Sequence, residues 1–206
     1  MSTPVCTNLQ QSLAWCEGTP EYAGIRRRLY YINKNAIVAW PTLPTDDKGR
    51  VTSATYEGSF TLAEDATWKF IDILSDKSQL TSDPQGEYPS QSQLNKLVAV
   101  HPGIGPEASA AAAYLNNSDN VFIAQDAKGR FRVIGSEAWQ ATTTVKQDNG
   151  QGSAGAASTT INVDAPDKVP APFYEGEIVT DDGTINETTS APSGPTYPPP
   201  NPDDGE

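Results

Sequence analysis

The residues able to do chemistry in this chain are few, and their spacing does not gather them into a reaction centre. His101 is the single histidine and sits between an apolar run and Pro102-Gly103, so the usual general base is available at one point only. That position reads as a turn histidine with a structural hydrogen bond, and no nucleophile-elbow sequence offers it a serine partner. Cys6 and Cys16 form no CxxC and no disulfide scaffold. Two readings of them stand, a local bridge in an oxidising setting or two reduced, packed thiols. With one histidine there is no zinc constellation either.

The loop motifs are equally plain. Gly150-Gln151-Gly152-Ser153-Ala154-Gly155 matches GxGxxG, but it precedes the strand-like Ser158-Thr159-Thr160-Ile161, whereas a phosphate cradle needs a helix N-terminus there. Asp46-Asp47-Lys48-Gly49 and Thr180-Asp181-Asp182-Gly183 look like fragments of calcium loops, lack the twelfth-position glutamate, and read as turns. The sequons Asn116-Asn117-Ser118 and Asn186-Glu187-Thr188 carry little weight, because the start of the chain shows no secretory signal. Carboxylate pairs are many, and none is marked by its surroundings. The reading is not an enzyme: no catalytic, cofactor-binding or metal-binding residue is assigned and no cofactor is expected. Trp15, Trp40, Trp68 and Trp139 are spread over the chain. They read first as core or interface residues and second as glycan-stacking platforms.

The elements that must carry these residues are mostly strands. Ile25–Trp40 is rich in Ile, Leu, Tyr and Val; Gly49–Leu62 alternates and breaks at Gly58; Thr67–Leu74 places Trp68, Phe70, Asp72 and Leu74 on one side and Lys69, Ile71 and Ile73 on the other. Gln93–Val100, Ala138–Val145 and Thr159–Val163 add three more strands, with 148–160 a glycine-rich loop between the last two. Val121–Gln125 and Arg130–Ile134 flank Asp126-Ala127-Lys128-Gly129, a hairpin signal. One helix interrupts them at Pro106–Asn116, opened by proline and glutamate and filled with alanine. The expected fold class is therefore mainly β: a β-sandwich or half-open barrel of about eight strands with one flanking α-helix and a disordered C-terminal tail.

Composition sets the boundaries. Hydrophobic residues are 36% of the 206, and no run is long and apolar enough for a membrane helix. Residues 1–174 carry 14 basic and 18 acidic side chains; residues 175–206 carry 8 acidic and none basic. An acidic body without a basic stripe argues against binding nucleic acid through its phosphates. Arg26-Arg27-Arg28 runs into Leu29-Tyr30-Tyr31-Ile32 and reads as a solvated strand face. Nine of the 17 prolines lie from Ala165 onward. The expected division is an N-terminal arm over 1–24, a β-sandwich domain over 25–178, and an acidic, proline-rich disordered tail over 179–206.

The succession of Gly24-Ile25, Leu29-Tyr30-Tyr31-Ile32, Trp40-Pro41, Gly58-Ser59-Phe60-Thr61-Leu62 and Trp68-Lys69-Phe70-Ile71 is followed by Gln85-Gly86-Glu87, His101-Pro102-Gly103 and a short helix. It ends on the hairpin Asp126-Ala127-Lys128-Gly129-Arg130-Phe131-Arg132-Val133-Ile134-Gly135-Ser136. Over roughly Gly24–Gly176 this resembles the tail tube proteins of tailed bacteriophages, particularly phages of Bacteroidota. The resemblance implies a virion structural protein of the tail, made in the host cytoplasm. It would close into rings, expected to be hexameric, that stack into a tube and meet other tail proteins. Genomic DNA would pass through the lumen without specific binding, and no membrane insertion is implied. Pro41–Gly58, Met1–Gly24 and Ser75–Ser92 are the matching candidates for contacts between copies. The long acidic tail departs from that pattern and is expected on the outer surface. Two alternatives stand beside this reading: a head decoration or head–tail connector protein of the same virion, and a carbohydrate-binding adhesive sandwich.

Overall fold

The computed structural model describes residues 9–186. The strands are, in chain order, β1 (Ile25–Asn33), β2 (Ile37–Ala39), β3 (Thr55–Tyr56), β4 (Thr61–Leu62), β5 (Lys69–Asp72), β6 (Gln79–Gln85) and β7 (Ser92–Pro102). The helix α1 (Pro106–Leu115) comes next. It is followed by β8 (Asn120–Asp126), β9 (Phe131–Ile134), β10 (Thr142–Asp148), β11 (Ser158–Asp167), β12 (Phe173–Tyr174), β13 (Ile178–Thr180) and β14 (Gly183–Ile185). A six-stranded sheet runs β3-β12-β9-β8-β1-β5 and a four-stranded sheet runs β10-β11-β7-β6; β13-β14 and β2-β4 are small pairs. The fold is mainly β and sandwich-like with one helix among the described residues, and none of its sheets closes into a barrel. No helix among the described residues is long and apolar enough to cross a membrane.

Two cores explain the strand sequences. Between the large sheets, Leu29, Phe122, Ala124 and Ile134 meet Leu97, Ala99, Ile161 and Val163, with Leu115 of α1 at the side. On the opposite face of the six-stranded sheet, Tyr30, Ile123, Phe131, Val133 and Tyr174 are covered by Phe60, Trp68 and Ile178, with Trp40 and Leu62 packed against them. The six-stranded sheet is therefore buried on both faces. This is why β8 is buried continuously from Asn120 to Gln125 rather than alternating. The four-stranded sheet is buried on one face only, and β10 alternates accordingly, with Thr143 and Val145 inward and Thr142, Thr144 and Lys146 outward.

The β8–β9 hairpin forms where the sequence places it. Gly129 takes a φ of 96°, and the Asp126 carboxylate accepts from the Arg130 N–H at 2.9 Å and from its Nε at 2.9 Å. The helix starts with Pro106 in its first turn and ends at Asn116, burying only Ala112 and Leu115. In the 67–74 segment Trp68 and Phe70 share a face, as the alternation predicts, yet Trp68 is buried and Phe70 is exposed. Phe70 lies on the edge strand, past the covering layer, and instead receives the Arg28 guanidinium over its ring at 3.9 Å.

Two boundaries differ from the sequence reading. Ser75–Ser92, expected as a connection, contains β6, paired along its length with β7. Its sequence QLTSDPQ supplies one aliphatic side chain, Leu80, because the strand is an edge whose other face is solvated. Residues 179–185, expected in the disordered tail, instead belong to the β13–β14 hairpin formed by residues 178–185. Ile178 is fully buried, and the Trp68 N–H donates to the Val179 carbonyl at 2.8 Å. The remainder of the tail and Cys6 lie outside the described residues, while Cys16 is exposed rather than packed.

Candidate functional site

The motifs with possible chemistry are held in structural roles. His101 lies at the end of β7, and its Nδ1 hydrogen-bonds the Asp72 carbonyl at 2.7 Å, linking an inner strand of the four-stranded sheet to the edge strand β5 of the six-stranded sheet. This is a structural hydrogen bond, made from a strand and not from a turn. The 150–155 glycine motif sits in the loop between β10 and β11 and is followed by a strand. At 46–49 the Asp46 carboxylate accepts from the Lys48 and Arg50 N–H groups, each at 2.9 Å, and from Arg50 Nε at 2.7 Å. Desolvation opposes the charge on Asp46, but these bonds outweigh it and hold its carboxyl below the ordinary value. At 180–183 the residues turn the β13–β14 hairpin, where Thr180 Oγ1 donates to the Gly183 carbonyl. The Asp181 carboxyl is held low by hydrogen bonds from Lys69 and Thr67. Among the described residues, no group of three or more His, Cys, Asp or Glu side chains could hold a metal ion.

Arg26, Arg27 and Arg28 separate. Arg26 and Arg27 are exposed, while Arg28 pairs with Asp72 at 2.9 Å. A register shift between Ile25 and Leu29 breaks the simple alternation of this stretch.

Three surfaces among the described residues stand out as able to meet a partner. The first is residues 9–24, which carry no strand or helix and expose Leu13 (96%), Trp15 (63%) and Tyr22 (67%). The base of this segment is fastened to the β8–β9 turn, through an ion pair of Glu21 with Lys128 and a bond from the Ala127 N–H to the Gly24 carbonyl. The second is the outer face of the four-stranded sheet. Its cross-strand rows read Thr144, Asn162, Val98, Gln79 and, beside them, Thr142, Asp164, Lys96, Thr81. Lys96 pairs with Asp83 across β6 and β7 at 2.9 Å. The face is polar and close to neutral.

The third is a cleft of about 220 Å³ lined by Trp40, Leu43, Tyr56, Glu137, Trp139 and Asp167. Nothing in the spacing of Trp40 and Trp139 along the chain signals that they meet. They are brought together because the loop before β3 and the loop before β10 both run past the β3 edge of the six-stranded sheet. Trp68 belongs to the core, and Trp40 packs edge-on against Phe60 at 5.2 Å between centroids. The cleft is smaller than the roughly 300–1,000 Å³ of pockets that enclose drug-sized ligands, and a more open groove of about 480 Å³ lies beside it along Ser53, Tyr56, Gly58 and Glu175.

The two edges of the four-stranded sheet are both blunted. On β10, the Asn116 side chain bonds the Val145 N–H and carbonyl, and Asp119 Oδ1 accepts from the Ala141 N–H at 3.1 Å. On β6, Pro84 removes one donor. Comparison of the chain with protein-family models, with curated proteins and with solved structures finds no match.

Proposed function

We propose that this chain is a self-assembling structural protein of a virion, a tail tube subunit whose copies form stacked rings around a DNA-conducting channel. The observation that carries the reading is the N-terminal segment. Leu13, Trp15 and Tyr22 stand exposed on an arm that contributes nothing to either core. A lone copy gains no stability from them, and a second copy covers them. The near-neutral, polar outer face of the four-stranded sheet supports the same reading, since a wall of Thr, Asn and Gln offers DNA neither strong attraction nor clustered cations. A single ring, as in a head–tail connector, would use the same arm without indefinite stacking.

Sedimentation velocity of the intact chain over a concentration series tests the assembly. The expected result is a distribution that moves to large species as concentration rises. A constant monomer at every concentration contradicts self-assembly.

A further inference from the structure

The cleft between Trp40 and Trp139 contains a polar arrangement that the assembly reading leaves unused. Asp167 is the last residue of β11 and is 2% exposed, turned inward with Ala165 and Val163. Its Oδ1 accepts from the Lys168 N–H at 2.6 Å and the Val169 N–H also favours the charged carboxyl, yet Oδ2 is buried without a partner in hydrogen-bond geometry. A buried carboxylate oxygen left without a donor is costly, and native structures rarely retain one unless something arrives to satisfy it. Around it stand Tyr56, Trp40 and Trp139, whose ring faces attract cations, and Glu137 adds a second carboxylate. The chain's own Lys34 already follows this preference. Its Nζ lies 6.0 Å from the Trp40 ring centre and donates to the Trp139 carbonyl at 3.0 Å. Lys168 carries positive charge nearby but does not donate to Oδ2.

We infer that this cleft is a binding site for an organic cation, an alkylammonium or guanidinium group whose charge reaches Asp167 and whose apolar stem lies between Trp40 and Trp139. The volume of about 220 Å³ fits one lysine- or arginine-sized group. The inference stands apart from the assembly reading, because the cation can be a basic side chain of another copy or a free small amine.

The probes are n-butylammonium and N-acetyl-arginine amide, with n-butanol as the neutral control, titrated into the full chain and followed by tryptophan fluorescence. Both cations are expected to give saturable changes, n-butanol none. Asp167→Asn, which keeps the shape, is expected to weaken binding by about tenfold or more, as for loss of a charged hydrogen bond. Should that variant fail to fold, Trp139→Ala at the partly exposed wall is expected to weaken it as well. If saturating butylammonium also breaks up oligomers, the natural cation comes from a neighbouring copy. If it binds with sedimentation unchanged, the natural cation is a free amine. No saturable response to either cation, an equal response to n-butanol, or equal affinity in the folded variant overturns the inference.

Discussion

Asn116 occupies the main-chain edge of β10 at Val145. The Val145 N–H donates to Asn116 Oδ1 at 2.7 Å, and Asn116 Nδ2 donates to the Val145 carbonyl at 3.4 Å. One carboxamide at the end of α1 thus supplies the donor and acceptor that a neighbouring strand would supply. The alanine-rich helix makes this approach possible, because Ala111, Ala112 and Ala113 add little bulk in the last turns before Asn116. An edge strand closed in this way does not pair indiscriminately with other chains.

Asn116→Ala is accordingly expected to cost about 0.5–1.5 kcal/mol in urea unfolding, the net value of ordinary hydrogen bonds. It is also expected to increase self-association, because β10 then offers its edge at Val145. Unchanged sedimentation together with unchanged stability contradicts a plugging role.

Asp167 gives a pH signature. Burial raises its carboxyl to about 6 from the ordinary 3.8, and the Lys168 amide and charge and the Val169 amide only partly oppose this. Between those values the folded protein holds a proton that the unfolded chain releases. Folding is therefore favoured at acid pH, and that advantage is lost as pH rises through about 6. Above it the ionised, buried group costs on the order of 3 kcal/mol. Asp167→Asn removes the dependence, so its stability relative to the parent is expected to rise from pH 4 to pH 7 by up to about 3 kcal/mol. Asp46 and Asp181 act in the opposite direction in both proteins and cancel in the comparison. A difference that stays constant across that range contradicts the assignment.

Ile178 tests where the folded body ends. It is fully buried against the core that contains Trp68 and Tyr174. Ile178→Ala is expected to lower unfolding stability by about 2–5 kcal/mol. A loss below about 0.5 kcal/mol means that the β13–β14 hairpin is not part of the cooperative unit.

The arm separates folding from assembly. Leu13→Ala combined with Trp15→Ala removes exposed apolar surface without touching either core. Unfolding stability in dilute solution is expected to stay within about 0.5 kcal/mol of the parent, while sedimentation shifts toward smaller species. Assembly unchanged by the double substitution contradicts a role for the arm.

Strong local signals were legible in the sequence, and weak ones were not. The Asp126–Gly129 turn, the run 121–125 and the proline-opened helix each carry their structure in adjacent residues, and all three form where expected. The 79–85 strand was missed because an edge strand with one solvated face needs few apolar residues; the clue was Leu80 in register with Leu97. Residues 178–185 were obscured by the acidic, proline-rich run beyond them, although Ile178, Val179 and Ile185 around Asp182-Gly183 form a hairpin pattern. The cleft depends on long-range packing. No spacing in the chain relates Trp40, Tyr56, Trp139 and Asp167, which come together only once the sheets pair.

Negative-stain electron microscopy of the purified, intact chain over a concentration series tests the central claim most directly. Stacked rings forming tubes with a central channel, increasing in length with concentration, are expected. Isolated particles of monomer size at the highest concentration contradict it, and single rings that never stack replace the tube with a connector.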